Sequence, residues 1–92
     1  MKYKILIIGF GSIGKRHYGI LKDIGFSEIA IISRRKLNSI NLDTRYVFNT
    51  TEEAFTCFSP THVIVASETS RHLSIILELQ NYILTYNFDI YL

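Results

Sequence analysis

The stretch Lys4-Ile5-Leu6-Ile7-Ile8-Gly9-Phe10-Gly11-Ser12-Ile13-Gly14-Lys15-Arg16-His17 limits what this chain can fold into more than any other. An apolar run leads straight into G-x-G-x-x-G, and an amphipathic helical pattern follows at once. That order is what a dinucleotide-binding turn needs. The first glycine permits a tight strand-to-helix turn. The second lets the backbone approach a pyrophosphate, because a Cβ there would collide with it. The third lets the helix pack closely on its strand. The helix start then offers unpaired N–H groups and partial positive charge to phosphates.

Composition narrows the remaining classes. At 92 residues the chain is at most one small domain or part of a larger one. With 48% hydrophobic and 20% charged residues it reads as globular rather than disordered. A net charge of +2 without a long basic run gives no reason to expect nucleic acid or a membrane as partner. The lone Cys57 excludes an internal disulfide and reads as a small core residue on a helix. No metal-ligand spacing joins Cys57, His17, His62 and His72. The first apolar run is too short to span a bilayer and no signal peptide is evident, so the expected location is the cytoplasm.

Taken in order, Tyr3 to Ile8 reads as a strand buried on both faces. The helix after the glycines is expected to bury Ile13, Ile20, Leu21 and Ile24 and to stop at Gly25. Glu28 to Ser33 is the second strand, and its end bears on cofactor choice. A NAD-type site places an acidic residue there to accept from the adenosine ribose hydroxyls. This chain has Ser33-Arg34-Arg35-Lys36, a hydroxyl and cations suited to a 2′-phosphate, which favours NADP over NAD. Residues Leu37 to Arg45 are turn-like, and Tyr46-Val47-Phe48 is a short third strand. Thr50 and Glu53 fit a capping box opening a helix that Ser59-Pro60 ends. Phe55 and Phe58 are expected in the core.

His62 to Ala66 is the fourth strand, with a helix from Arg71 to about Tyr82, Thr69 as its cap, and Leu73, Ile76, Leu77 and Leu84 as core candidates. Strand ends that feed helix starts form the rim where an open α/β sheet binds ligands, which places Ser67 and Thr69 near the cofactor. His62, at the other end of its strand, reads as structural. Phe88 to Leu92 reads as a fifth strand that stops at the last residue, as expected for the front of a larger protein. The fold class is thus α/β: an incomplete Rossmann-type doubly wound parallel sheet of about five strands with helices on both faces, within 1–92.

With these elements in place, the chain resembles the Gfo/Idh/MocA family of oxidoreductases. The resemblance is carried by Gly9 to His17, by Thr51-Glu52-Glu53-Ala54, and by His62 to His72, which is similar to that family's strand ending in Ala-Thr-Pro with a His soon after. It implies a Rossmann domain followed by a substrate domain, and NAD(P)-dependent oxidation or reduction of a sugar, nucleotide-sugar or cyclitol. It also implies that Gly9, Gly11, Ser12, Ile13 and Gly14 hold the pyrophosphate. On the same basis Ser33, Arg34 and Arg35 hold the adenosine end, while Ser67, Thr69 and His72 line the nicotinamide side. His17 matches a position often occupied by His. Two departures stand out: Ser67-Glu68 replaces the Pro-containing turn, and the family's Glu-Lys-Pro, with its catalytic Lys, is expected directly after the fifth strand and is not among the 92 residues. No catalytic residue is therefore expected in these residues, and the chain by itself is expected to show no turnover.

Two alternatives belong to other classes. The chain also fits a non-catalytic dinucleotide-binding module or an inactive truncated product. A methyltransferase using S-adenosylmethionine also has a glycine-rich first loop, but more often carries an acidic residue where Ser33-Arg34-Arg35 stands. An open apolar edge at Phe88 to Leu92 predicts marginal folding and self-association.

Overall fold

The computed structural model describes residues 3–33, 46–67, 71–83 and 85–91. The elements run β1 (Ile5–Ile8), α1 (Ser12–Ile24), β2 (Ile29–Ile32), β3 (Val47–Phe48), α2 (Thr51–Phe58), β4 (His62–Val65), α3 (His72–Leu79) and β5 (Asp89–Tyr91). All strand pairs are parallel, and the sheet order is β3-β2-β1-β4-β5. The expected α/β doubly wound sheet is therefore present. In sequence the strands step outward from β1 to β3, then cross back to β4. That reversal puts a switch point between β1 and β4.

Continuous apolar strands follow from burial on both faces. Every residue of β1 and β2 is buried. On one face Ile5, Ile7 and Ile29 meet Tyr18 and Leu21 of α1. On the other, Leu6, Ala30, Val63 and Val65 meet Phe55 and Phe58 of α2 and Leu79 of α3. The second core is the more aromatic: Phe55 stacks on Tyr82 at 4.6 Å and lies 4.9 Å from Phe88.

Local signals explain where the helices start and stop. Gly25 closes α1 at φ 118, its N–H donating to the carbonyls of Leu21 and Lys22. The Thr50 hydroxyl accepts from the Glu53 N–H at 3.1 Å, so the cap of α2 is where the sequence puts it. Ser59 ends α2 in the left-handed region at φ 52, and its hydroxyl donates back to the Phe55 carbonyl.

Three expectations of burial are corrected. Ile13, Ile20 and Ile24 are 58%, 47% and 67% exposed, and of the face expected for α1 only Leu21 packs inward. The cause is Gly14: it faces the Gly9 carbonyl, and that contact turns Tyr18 and Leu21, not the isoleucines, towards the sheet. In α3, Leu73 and Leu77 are exposed, whereas Leu79 is fully buried and Ile75 packs beside it. Leu84 lies outside the described residues. Cys57 is exposed rather than in the core, because Phe55 and Phe58 take the inward positions of α2. α3 is also shorter than expected, ending at Leu79 in a turn rather than running to Tyr82. No helix among the described residues is long and apolar enough to cross a membrane.

Candidate functional site

The site grows from the carboxyl ends of β1, β2 and β4, at the switch point. The Gly9 N–H donates to the Ile32 carbonyl at 2.8 Å, and the Ala66 N–H donates to the Ile8 carbonyl at 2.9 Å, so three strand ends are tied together. Gly9 turns out of β1 at φ 96, and a Cβ there would stand 2.9 Å from the Ser67 backbone nitrogen. Both the dihedral and the close approach require glycine. At Gly14 a Cβ would strike the Gly9 carbonyl oxygen, so this glycine lets α1 settle on the turn.

Gly11 is different. It is the N-cap of α1 at φ −82, ψ −156, an extended backbone that any residue adopts. A Cβ at Gly11 would meet no protein atom within 4 Å. No side chain caps α1, and its first turn holds no acidic residue. The first intrahelical bond runs from the Lys15 N–H to the Gly11 carbonyl, so the N–H groups ahead of Lys15 have no intrahelical acceptor.

An open cleft of about 680 Å³ lies over this helix start, with Gly11, Ser12, Ile13 and Lys15 on one side, Ser33 at the end of β2, and Ser67 at the end of β4. A smaller cleft of about 240 Å³ lies across the Gly9–Ser67 contact, lined by Ile32, Asn49, Thr50, Arg71 and Glu78 among others. The Ser67 hydroxyl is buried and has no hydrogen-bond partner among the described residues. An orphaned hydroxyl costs about 1–3 kcal/mol. An acceptor or donor brought by a ligand would recover it.

The fold thus brings Gly9, Gly11, Ser12, Ile13, Ser33 and Ser67 to one cleft, with Gly14 buried beneath it. His72 is not on the cleft lining; its Nε2–H donates to the Ser67 carbonyl at 2.9 Å and holds the end of β4 to α3. Arg34, Arg35 and Thr69 lie outside the described residues. His17 is exposed on α1. His62 is occupied at the opposite end of the sheet, its Nδ1 2.8 Å from the Thr61 hydroxyl and its ring 5.1 Å from Tyr3, as expected for a structural histidine.

Two cations on the cleft walls were not among the candidates: Lys15 and Arg71. The sequence does hold a signal for them. Cations at helix starts oppose the macrodipole, so a basic residue there stands in already positive surroundings that favour an anion. Among the described residues no group of His, Cys, Asp or Glu could hold a metal ion. Comparison with protein-family models, with curated proteins and with solved structures finds no match in any of the three.

Proposed function

We propose that this chain is the cofactor-binding part of an NAD(P)-dependent oxidoreductase similar to the Gfo/Idh/MocA family, acting on a sugar, nucleotide-sugar or cyclitol, with NADP preferred. The observation that carries the reading is Gly11. Neither its dihedrals nor any neighbouring protein atom demands glycine there, whereas a pyrophosphate laid against the backbone does. The residues fit the group: the helix start offers unpaired N–H donors, Lys15 adds a cation, and Ser67 an unpartnered hydroxyl.

In this reading Gly11, Ser12 and Ile13 hold the pyrophosphate, while Gly9 and Gly14 bring the helix start to the end of β1. Ser33 takes the adenosine ribose, with Arg34 and Arg35 beside it in sequence meeting the 2′-phosphate. Ser67 faces the nicotinamide side, with Thr69 two residues further in sequence assigned to the same part of the cofactor, and His72 positions Ser67 through its carbonyl. When bound, the nicotinamide supplies hydride chemistry. The sugar-type substrate rests on the resemblance alone.

Calorimetric titration of the chain with NADPH and NADH tests this. NADPH should bind more tightly, and Arg34→Ala should weaken NADPH roughly tenfold or more, the size of one lost charge-assisted phosphate contact, while sparing NADH. Tighter binding of NADH, or an unchanged NADPH affinity in Arg34→Ala, would remove the NADP assignment. No binding of either would remove the nucleotide reading.

A further inference from the structure

Arg71 stands in the turn just ahead of α3, half-buried, and lines both clefts. Its guanidinium has no ion pair among the described residues, although Glu78 lines the same small cleft. A partly desolvated guanidinium is normally paired, since losing water without gaining an anion is unfavourable. The position sharpens the problem, because the start of α3 already carries partial positive charge. The surroundings are rich in donors. Asn49 contributes an amide, and Thr50 a hydroxyl whose oxygen already accepts from Glu53 and whose proton is free to be donated. The guanidinium and these donors at a helix start outnumber the one carboxylate on this cleft, Glu78, and are the chemistry that holds a dianionic phosphate.

Resting on the reading above, we propose that Arg71 is a specificity-determining residue that binds the phosphomonoester of a 2′-phosphorylated adenosine, so that selection for NADP is made from the β4–α3 side as well as from the end of β2. Topology supports this choice over the pyrophosphate. The pyrophosphate belongs at the start of α1, where Lys15 supplies a cation. The adenosine ribose is directed towards the end of β2. Ile32, the last residue of β2, lines the small cleft with Arg71, and Ser33, the next residue, lines the large cleft with Arg71. Arg71 is therefore the described cation common to both spaces at the adenosine end.

The test compares 2′,5′-ADP with 5′-AMP, which differ only in the 2′-phosphate, and NADPH with NADH, for wild type, Arg71→Gln and Arg71→Lys. Arg71→Gln should weaken 2′,5′-ADP and NADPH tenfold or more and leave 5′-AMP and NADH within twofold. Arg71→Lys keeps the charge without the fork and should fall between. Far-ultraviolet circular dichroism checks that each variant keeps its fold, and Arg71→Lys reports on the proposal even if Arg71→Gln does not fold. Equal weakening of all four ligands would show that Arg71 reads the base or pyrophosphate and would overturn the proposal, as would no change in any. If wild type binds the nucleotides but the ratio is untouched in both variants, only this proposal fails. If wild type binds none of them, the nucleotide reading fails and takes this with it.

Discussion

Gly9, Gly11 and Gly14 belong to one motif but answer to different forces, and substitution should separate them. Alanine at Gly9 must hold φ 96 and press on the Ser67 backbone; alanine at Gly14 must push the start of α1 off the Gly9 carbonyl. Each should cost about 2–4 kcal/mol, combining dihedral strain with overpacking against backbone that cannot rotate away. Urea denaturation would show it as a lowered midpoint. Gly11→Asn should behave in the opposite way. Asparagine is a good N-cap at an extended residue, so stability should hold or rise by a few tenths of a kcal/mol. Its side chain would fill the space above the turn and occupy the helix N–H groups, so NADPH binding should be lost. Loss of stability in Gly11→Asn equal to that in Gly14→Ala would make Gly11 a structural glycine and remove the main support for a cofactor. The motif marks all three positions, but which glycine serves the fold and which the ligand depends on the folded contacts, for Gly9 on Ser67, distant in sequence, and for Gly14 on the Gly9 carbonyl.

At the scale of elements, the sequence locates helices well and rotates them poorly. Thr50 with Glu53, Gly25 and Ser59-Pro60 mark helix ends correctly because caps are local chemistry. Rotation is set by what lies across the interface. In α3 the run His72-Leu73-Ser74-Ile75-Ile76-Leu77-Glu78-Leu79 holds two interleaved apolar stripes, and hydropathy alone cannot choose between them. Packing against Phe55 and the sheet selects Ile75 and Leu79. Leu79→Ala should therefore cost about 2–5 kcal/mol, while Leu77→Gln, on the exposed stripe, should stay within about 0.5 kcal/mol. Equal effects in urea melts would mean the helix is rotated otherwise. In α1 the answer was present in the motif. Gly14 has to face the turn, so the residues four and seven positions on, Tyr18 and Leu21, face the sheet with it. Ile13 stands one residue, about 100°, away. Side chains rank by hydropathy, but a glycine without one fixed the helix. Lys15 and Arg71 went unread for a similar reason: each looks like an ordinary solvated cation until the strands place it at a cleft.

For the whole molecule, the two faces of the sheet differ in kind, and the difference predicts a pH response. The α1 face is built on isoleucines with Tyr18 and Phe26 at its margin, while the α2–α3 face holds Phe55, Phe58, Phe88, Tyr82 and Tyr86. Tyr82 stacks on Phe55 with ring planes 8° apart. Burial against this cluster raises its phenol pKa above 10.0, and Glu52, Glu78 and Tyr86 push the same way. The folded state thus holds the phenolic proton more tightly than the unfolded chain. The stability linked to it is fully present below pH 10.0 and is lost as pH rises through the folded-state value. Tyr82→Phe keeps the stacking and removes the ionisation. At pH 7 the variant should match wild type to within about 1 kcal/mol, since it loses one hydroxyl and no ring contact. Above pH 10 it should become the more stable of the two, because only wild type then carries a phenolate that its surroundings disfavour. Urea melts of both proteins at pH 7, 9 and 10.5 would show the curves diverging only at the highest value. Parallel curves throughout would mean that Tyr82 ionises as freely in the folded chain as in water, and that the aromatic core is open to solvent at its edge.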